Sequence, residues 1–277
     1  MRIAHRVRAA AAGAVALTFA LSGCGSANTD ANAGGHDGVH DAEGGPIRVF
    51  AAASLEKAFT EIQTAFKEEH PEVEFELVTG GSQELVTQLK EGADADVVAL
   101  ASEKAAQPLN ESGAVNPEQW DIFAENTLVI AVQEGNPKGI TDITDLANRD
   151  DIRVAACAPE VPCGSATEKL LDIEGVSLKG ETRENNVSAT LAKAEIGEVD
   201  AAIVYASDVA TSEAPIEAIV PKHADEVVNR YPIVAYNGSY QGVLFSEFVR
   251  GEQGRKILVE YGLTIPEDAP LPTRTAP

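Results

Sequence analysis

The sequence has few basic, aromatic and sulfur-containing residues. Its 277 residues include 21 lysines and arginines against 44 aspartates and glutamates, with 5% aromatics, one tryptophan, one methionine and three cysteines. So acidic a chain offers no basic surface to nucleic-acid phosphates, and we expect no nucleic-acid partner. The sequence also lacks zinc-ligand spacings, a Walker-type phosphate loop and a nucleophile elbow. It therefore carries no usual signature of a zinc site, a nucleotide site or a serine hydrolase.

Long apolar runs are missing too, apart from one near the beginning. Three arginines there precede an apolar stretch, residues 9–20, that is too short to span a bilayer comfortably, and Leu21-Ser22-Gly23-Cys24 follows. This pattern resembles the lipobox of bacterial lipoproteins. It predicts a signal peptide at 1–23 and lipidation of Cys24, and therefore an extracytoplasmic protein anchored to the cell membrane by lipid. An ordinary signal peptide with an incidental cysteine is the alternative.

Residues 24–46 have the composition of a flexible tether and no core-forming pattern. Within them His36 and His40 are each followed by an aspartate, and such a pair can hold a metal ion weakly, although a solvated linker is the favoured interpretation. Without residues 1–23 the chain keeps 18 basic against 44 acidic residues, a net charge of −26. Any anion site must therefore act through short-range hydrogen bonds and not through long-range attraction.

The cysteines leave one possible pair. With Cys24 assigned to lipid, Cys157 and Cys163 remain in an exported, oxidising setting, which favours a disulfide between them. So short a loop gains only about 2 to 3 kcal/mol of stability, so we expect the bond to fix the shape of the loop. A catalytic cysteine is the alternative. Nothing marks a base for it, because His70 and His223 lie in charged, turn-like contexts.

The apolar periodicity predicts alternating strands and helices in both halves of the chain. Strand and helix alternation of this kind implies parallel sheets covered by helices. The strands are predicted at 47–50, 73–77, 96–101, 127–132, 152–156, 201–205 and 233–236. The helices are predicted at 54–69, 82–91, 142–147, 164–172, 187–196 and 245–261, the last interrupted by two glycines.

Five corners between these elements offer hydrogen-bond donors without a positive charge. Each lies at a strand end or a helix start and presents a hydroxyl or a free backbone N–H, and Ser54 is predicted to be the N-cap of the first helix. Several fixed donors at helix starts can replace the hydration shell of a tetrahedral dianion. The corners are Ala53-Ser54, Gly81-Ser82, Cys163-Gly164, Asn186-Val187 and Tyr205.

Five stretches around these corners carry a more specific signal. They are FAAASLEKAFTEI at 50–62, GGSQELVTQLKEGADADVVALAS at 80–102, PCGSATEKLL at 162–171, NNVSATLAKAEIGEVDAAIVYASD at 185–208 and YPIVAY at 231–236. In this order they resemble the molybdate-binding protein (ModA) family of bacterial ABC transporters. The resemblance implies a type II periplasmic binding protein, an α/β fold of two lobes with a ligand cleft between them. The expected organisation is lobe 1 at 47–127 plus 232–265, lobe 2 at 128–231 and a tail at 266–277.

The resemblance also implies an oxyanion site without a cation. Ser54 and Ser82 would donate through their hydroxyl and amide groups, and Tyr205 through its phenol. Cys163, where relatives often have alanine, and Val187 would donate through their backbone N–H groups. Without the resemblance, Val187 equally fits an apolar helix face, and Tyr205 equally fits a core aromatic with a satisfied hydroxyl.

Two features depart from the family's pattern. The serine-serine-glycine of many relatives reads Gly81-Ser82-Gln83 here, and the two cysteines around the third corner are an addition. Neither departure removes a charge. Asp96 and Asp208 are interpreted as turn or cap residues, because no second carboxylate or histidine is placed to share acid–base work with them.

The implied function is that of a monomeric, lipid-anchored solute-binding protein that captures molybdate, and tungstate with it, and delivers it to an ABC permease. No cofactor and no enzymatic activity are expected. A receptor for another tetrahedral oxyanion such as sulfate is the alternative on the same scaffold. An exported hydrolase using Ser82 or Cys163 and a purely structural surface lipoprotein are alternatives of other classes.

Overall fold

The computed structural model describes residues 45–272. The predicted signal peptide, the lipidation site Cys24, the metal-binding possibility at His36 and His40, and the tail beyond residue 272 lie outside the described residues. None of the helices within 45–272 is long and apolar enough to cross a membrane.

Within this range the chain forms ten strands and nine α-helices. The strands are β1 (Ile47–Ala52), β2 (Phe75–Gly80), β3 (Val97–Ala99), β4 (Asp121–Asn126), β5 (Leu128–Gln133), β6 (Val154–Cys157), β7 (Thr182–Glu184), β8 (Ala201–Tyr205), β9 (Ile216–Ile219) and β10 (Asn229–Ala235). The helices are α1 (Glu56–Glu69), α2 (Ser82–Lys90), α3 (Glu103–Glu111), α4 (Ile143–Asn148), α5 (Pro162–Glu174), α6 (Val187–Glu195), α7 (Ala206–Ala210), α8 (Tyr240–Arg250) and α9 (Glu252–Glu260).

The strands form two five-stranded sheets, one in each lobe. The first has the order β2-β1-β3-β10-β4 and the second the order β7-β6-β8-β5-β9. In each sheet three strands are parallel, and an antiparallel strand lies beside them, β10 in the first and β5 in the second. The chain passes to the second sheet through Thr127 and returns before β10. The predicted architecture of two α/β lobes is confirmed, and the exact lobe limits stay a prediction.

Each sheet is covered by helices whose apolar faces form its core. In α1, Phe59, Ile62 and Phe66 recur at helical spacing and are buried against the first sheet. Phe245 of α8 meets Phe66 edge to face, with ring centroids 5.4 Å apart. The apolar strands β5, β6 and β8 are buried along nearly their whole length between the helices of the second lobe. These two cores hold the corner residues in fixed places.

One local prediction is wrong: Ser54 is not a helix N-cap. Ala53–Leu55 forms a 3-10 turn, and α1 begins at Glu56 with Leu55 in the cap position. The physical reason is a competing partner, since the Ser54 hydroxyl lies 3.0 Å from the Tyr231 hydroxyl on β10. A tertiary hydrogen bond therefore replaces the local cap.

Five elements were not predicted: β4, α3, β7, α7 and β9. Helix α3 contains Pro108, which removes a backbone donor and conceals the helical pattern. Strands β7 and β9 are three and four residues long and lie at the edges of the second sheet, where burial imposes little alternation. Helix α5 begins two residues before its predicted start, because Pro162 occupies its first position.

Candidate functional site

A small pocket lies between the two lobes, and all five predicted site residues line it. The space between its atoms, part of it open to solvent, is about 210 Å³. Such a pocket suits a ligand of few heavy atoms. The five residues are Ser54, Ser82, Cys163, Val187 and Tyr205.

Three helices begin at this pocket. Helix α2 starts with Ser82, α6 starts with Val187, and Cys163 is the second residue of α5. The first N–H groups of a helix have no partner within it, and the helix dipole adds partial positive charge there. Asn186 caps α6 by accepting from Ala189 N at 2.8 Å, which leaves the N–H of Val187 free of the cap. The pocket therefore collects unpaired donors.

The hydroxyl groups of the pocket are held from behind by other residues. The buried Ser82 Oγ accepts a hydrogen bond from Ala101 N at 3.0 Å. Tyr205 Oη accepts one from the side-chain amide of Asn229 at 2.7 Å. Burial raises the pKa of the Tyr205 phenol well above its ordinary value, so the hydroxyl keeps its proton at neutral pH. Both hydroxyl groups keep a proton that they can donate to a ligand.

No charged side chain is among the described residues that line this pocket. Asp208, predicted to be a turn or cap residue, caps α7 by accepting from Tyr205 N at 3.0 Å. Burial raises the pKa of the Asp208 carboxyl to about 7, while the Tyr205 N–H and Lys57 oppose the rise. Asp96, interpreted in the same way, accepts from Arg48 N at 2.7 Å. Neither carboxylate faces the ligand space.

The two sides of the pocket are in contact with each other. A Cβ on Gly81, at the start of α2, would lie 2.5 Å from the backbone oxygen of Asn185 in the other lobe. Glycine therefore permits an approach that any larger residue would block. Lys57 Nζ also donates to the carbonyl oxygen of Thr211 across the cleft. The two lobes are therefore in contact across the cleft.

The loop before α5 is fixed by its cysteines. A disulfide joins Cys157 to Cys163, with their Cα atoms 5.7 Å apart. In this form Cys163 has no free thiol to act as a nucleophile, but its backbone N–H is still available. The two histidines considered as bases are elsewhere, since His70 stacks on Phe66 and His223 pairs with Glu174 at 2.6 Å.

Comparison with known proteins gives the same assignment as the fold. The family described as bacterial extracellular solute-binding protein matches residues 47–264. This chain belongs to that family. Among its relatives, the molybdate-binding protein ModA of Mycobacterium tuberculosis is 38% identical over 79% of this chain and 85% of the relative. ModA of Escherichia coli is 30% identical over 81% of this chain and 91% of the relative.

Solved structures share the fold of this solute-binding protein. The periplasmic molybdate-binding protein of Azotobacter vinelandii aligns over 80% of this chain and all of its own, with a TM-score of 0.67 and 17% identity. The sulfate-binding protein SubI of Mycobacterium tuberculosis aligns over 81% and 88%, with a TM-score of 0.67 and 21% identity. The predicted fold class and the resemblance to the ModA family are confirmed, and both named relatives are binding proteins.

Sequence reasoning missed the residues behind the pocket of this solute-binding protein. Asn126, Asn229 and Tyr231 are buried, and each contacts a pocket hydroxyl or the group next to one. Tyr231 lies within the YPIVAY stretch, but no local pattern gave it a role. The two asparagines end and begin strands, where an amide is ordinarily interpreted as a turn residue.

We predict that Asp208→Asn changes how the stability of this solute-binding protein depends on pH. An unfolded aspartate loses its proton near pH 4, whereas folded Asp208 keeps its proton until about pH 7. The wild type therefore loses stability as pH rises from about 4 to 7, and asparagine, which can still cap α7, does not. Relative to the wild type, the free energy of unfolding of the variant should rise by about 2 to 3 kcal/mol between pH 5 and pH 8.

Urea unfolding at the two pH values measures this difference. Asp150→Asn, at an exposed position, is the matched control and should show a pH-independent difference from the wild type. A constant difference for Asp208→Asn as well would contradict the raised pKa.

Proposed function

We propose that this protein captures molybdate, and tungstate with it, outside the cytoplasm and delivers it to an ABC importer. The observation that carries the proposal is a pocket between two lobes that collects donors from five segments and no charged side chain. The relatives named molybdate-binding protein, at 38% and 30% identity, support this choice of ligand. The five donors proposed to hold the anion are Ser54, Ser82, Cys163, Val187 and Tyr205.

Neutral donors are sufficient to hold a dianion when there are several of them and they are fixed. A hydrogen bond to a charged group contributes about 1.5 to 3 kcal/mol net, and three helix N-termini add their dipoles. A bound anion gives up its hydration shell, and donors that are already oriented replace that shell without further ordering. The net charge of the chain gives no long-range attraction, so affinity depends on these short contacts.

The same donors account for the proposed selectivity. Molybdate and tungstate have nearly the same size and charge, so a rigid set of donors binds both. Sulfate is smaller and leaves some donors short of their partners, which lowers affinity. Hydrogen phosphate carries a proton that needs an acceptor, and the five groups present mainly donors.

A sulfate receptor is the second candidate function. A sulfate-binding protein of Synechococcus elongatus is 28% identical over 65% of this chain and 53% of the relative, and SubI shares the fold. The molybdate-binding relatives are more similar and cover more of the chain. We therefore place sulfate second.

Delivery requires that the two lobes close on the ligand and that the permease recognises the closed form. Two segments, at Thr127 and before β10, connect the sheets, so closure is a rotation about them. Lipidation at Cys24 would hold the monomeric protein at the membrane beside its permease. The extracytoplasmic location of the family supports this arrangement.

Calorimetric titration of the purified protein with molybdate, tungstate, sulfate and phosphate tests the proposal. We expect tight one-to-one binding of molybdate and tungstate, and weak or no binding of the other two. Preference for sulfate would change the proposed ligand but leave the proposed role as an oxyanion receptor in place. Failure of all four anions to bind would contradict the proposed function.

Gly81→Ala should weaken molybdate binding because the new methyl group meets the Asn185 carbonyl oxygen and keeps the lobes apart. We expect at least a tenfold rise in Kd, which corresponds to about 1.4 kcal/mol, with the melting temperature of the ligand-free protein almost unchanged. Gly45→Ala, whose added methyl group has no atom within 4 Å, is the control. Wild-type affinity in Gly81→Ala would show that binding does not need this contact.

A further inference from the structure

A hydroxyl group can either donate or accept a hydrogen bond, so a pocket of hydroxyls is not by itself selective for a fully deprotonated anion. The direction of each hydroxyl is set by what contacts it from behind. A hydroxyl oxygen that already accepts one bond from the protein keeps its own proton and one lone pair, and the proton is what it offers to an anion. The groups behind Ser54, Ser82 and Tyr205 therefore decide what the pocket can hold.

The orientation of Asn229 is fixed by the backbone. Its side-chain nitrogen lies 3.0 Å from the carbonyl oxygen of Ala101, which can only accept, so this atom is the amide nitrogen and not the amide oxygen. The same nitrogen lies 2.7 Å from Tyr205 Oη. It therefore donates to the phenol oxygen, so the single phenol proton points away from Asn229, to the side of the pocket and of the neighbouring Tyr231 hydroxyl.

Ala101 sets the direction of a second hydroxyl. Its carbonyl oxygen accepts from Asn229, and its N–H donates to Ser82 Oγ at 3.0 Å. Backbone N–H groups only donate, so the Ser82 oxygen accepts here and its proton is free for a ligand. One residue thus links the donor groups of Ser82 and Tyr205.

Asn126 acts on the third hydroxyl through Tyr231. The Asn126 side-chain oxygen accepts from Thr127 N at 3.0 Å, so its amide nitrogen faces the other way. That nitrogen donates to Ser207 Oγ at 2.7 Å and contacts Tyr231 Oη at 3.4 Å. Either hydroxyl of the Ser54–Tyr231 pair, whose oxygens are 3.0 Å apart, can donate to the other. The Asn126 amide nitrogen beside the Tyr231 oxygen favours Tyr231 as the donor, and this direction leaves the Ser54 proton for the pocket.

The two asparagines are direct partners in the β4–β10 ladder, where both connecting segments pass between the lobes. We propose that Asn126 and Asn229 are positioning residues that make the hydroxyls of Ser54 and Tyr205 donate to the ligand space, beside Ser82, whose oxygen is directed by the Ala101 N–H. This inference rests on the proposed function and deepens it. The pair determines specificity, because a pocket that shows only protons rejects an oxyanion that carries a proton of its own.

A double-mutant cycle on Asn229 and Tyr205 tests the inference. We expect Asn229→Leu and Tyr205→Phe each to raise the Kd for molybdate at least tenfold in calorimetric titration. Because Asn229 acts through the phenol, the double variant should bind no more weakly than Tyr205→Phe alone. Asn148→Leu, which removes an exposed amide bonded to Thr144 O, is the matched control and should leave the Kd unchanged.

The ratio of phosphate to molybdate affinity is the second readout. In Asn229→Leu the Tyr205 oxygen is free to accept, so the preference for molybdate over phosphate should fall at least tenfold. If Asn229 had only a general structural role, Asn229→Leu would weaken the binding of molybdate and of phosphate by the same factor. If Asn229→Leu does not fold, as judged by its thermal melting, Asn229→Ala provides the same cycle.

The outcomes separate this inference from the proposed function. The inference is overturned if the losses of molybdate affinity in the two single variants multiply in the double variant and the ratio of phosphate to molybdate affinity is unchanged. Molybdate capture then stays in place. Wild-type binding of sulfate in place of molybdate overturns the proposed ligand, and the same cycle measured with sulfate then decides the inference. Wild-type protein that binds none of the anions overturns both.

Discussion

A doubly charged anion buried without a counter-ion is stable only where oriented dipoles replace its water, and the rest of this structure follows from that constraint. The pocket has no charged lining residue among those described, and the chain around it is strongly acidic. Stabilisation of the proposed anion therefore has to come from helix starts and from hydroxyls held in one direction. In the proposed account, the asparagine pair on β4 and β10 provides that direction for Ser54 and Tyr205, the Ala101 N–H provides it for Ser82, and the rigid helices provide it for the backbone donors.

The topology explains why the donors meet. Tyr205 is the last residue of β8, and Ser54, Ser82 and Val187 come soon after the carboxyl end of a strand, as does Cys163 one loop later. In open α/β sheets this end carries the ligand site, and two such sheets facing each other bring both sets of donors into one cleft. The lobes are joined where Asn126 and Asn229 pair. Closure and donor orientation therefore depend on the same short piece of sheet.

Much of this arrangement could be predicted from local patterns, because apolar periodicity and helix starts depend on residues that are close in sequence. Helix α6, with its cap expected at Asn185 or Asn186, strand β8 and the five corners are of this kind. The choice of one donor residue at each corner came from the family resemblance. Contacts between distant segments left no local signal. Ser54 was predicted to cap a helix because its partner, Tyr231, is 177 residues away. Asn229 and Asn126 acquire their roles only when the two lobes assemble, and Pro108 concealed the helix α3 that contains it.

The most direct test of the account is a crystal structure of the protein with tungstate, in which the anomalous signal of tungsten locates the anion. The account predicts one tungsten atom in the pocket between the lobes. Its oxygens should lie within hydrogen-bond distance of the hydroxyls of Ser54, Ser82 and Tyr205 and the N–H groups of Cys163 and Val187. An anion held by a lysine or arginine, or seated elsewhere on the molecule, would contradict the account.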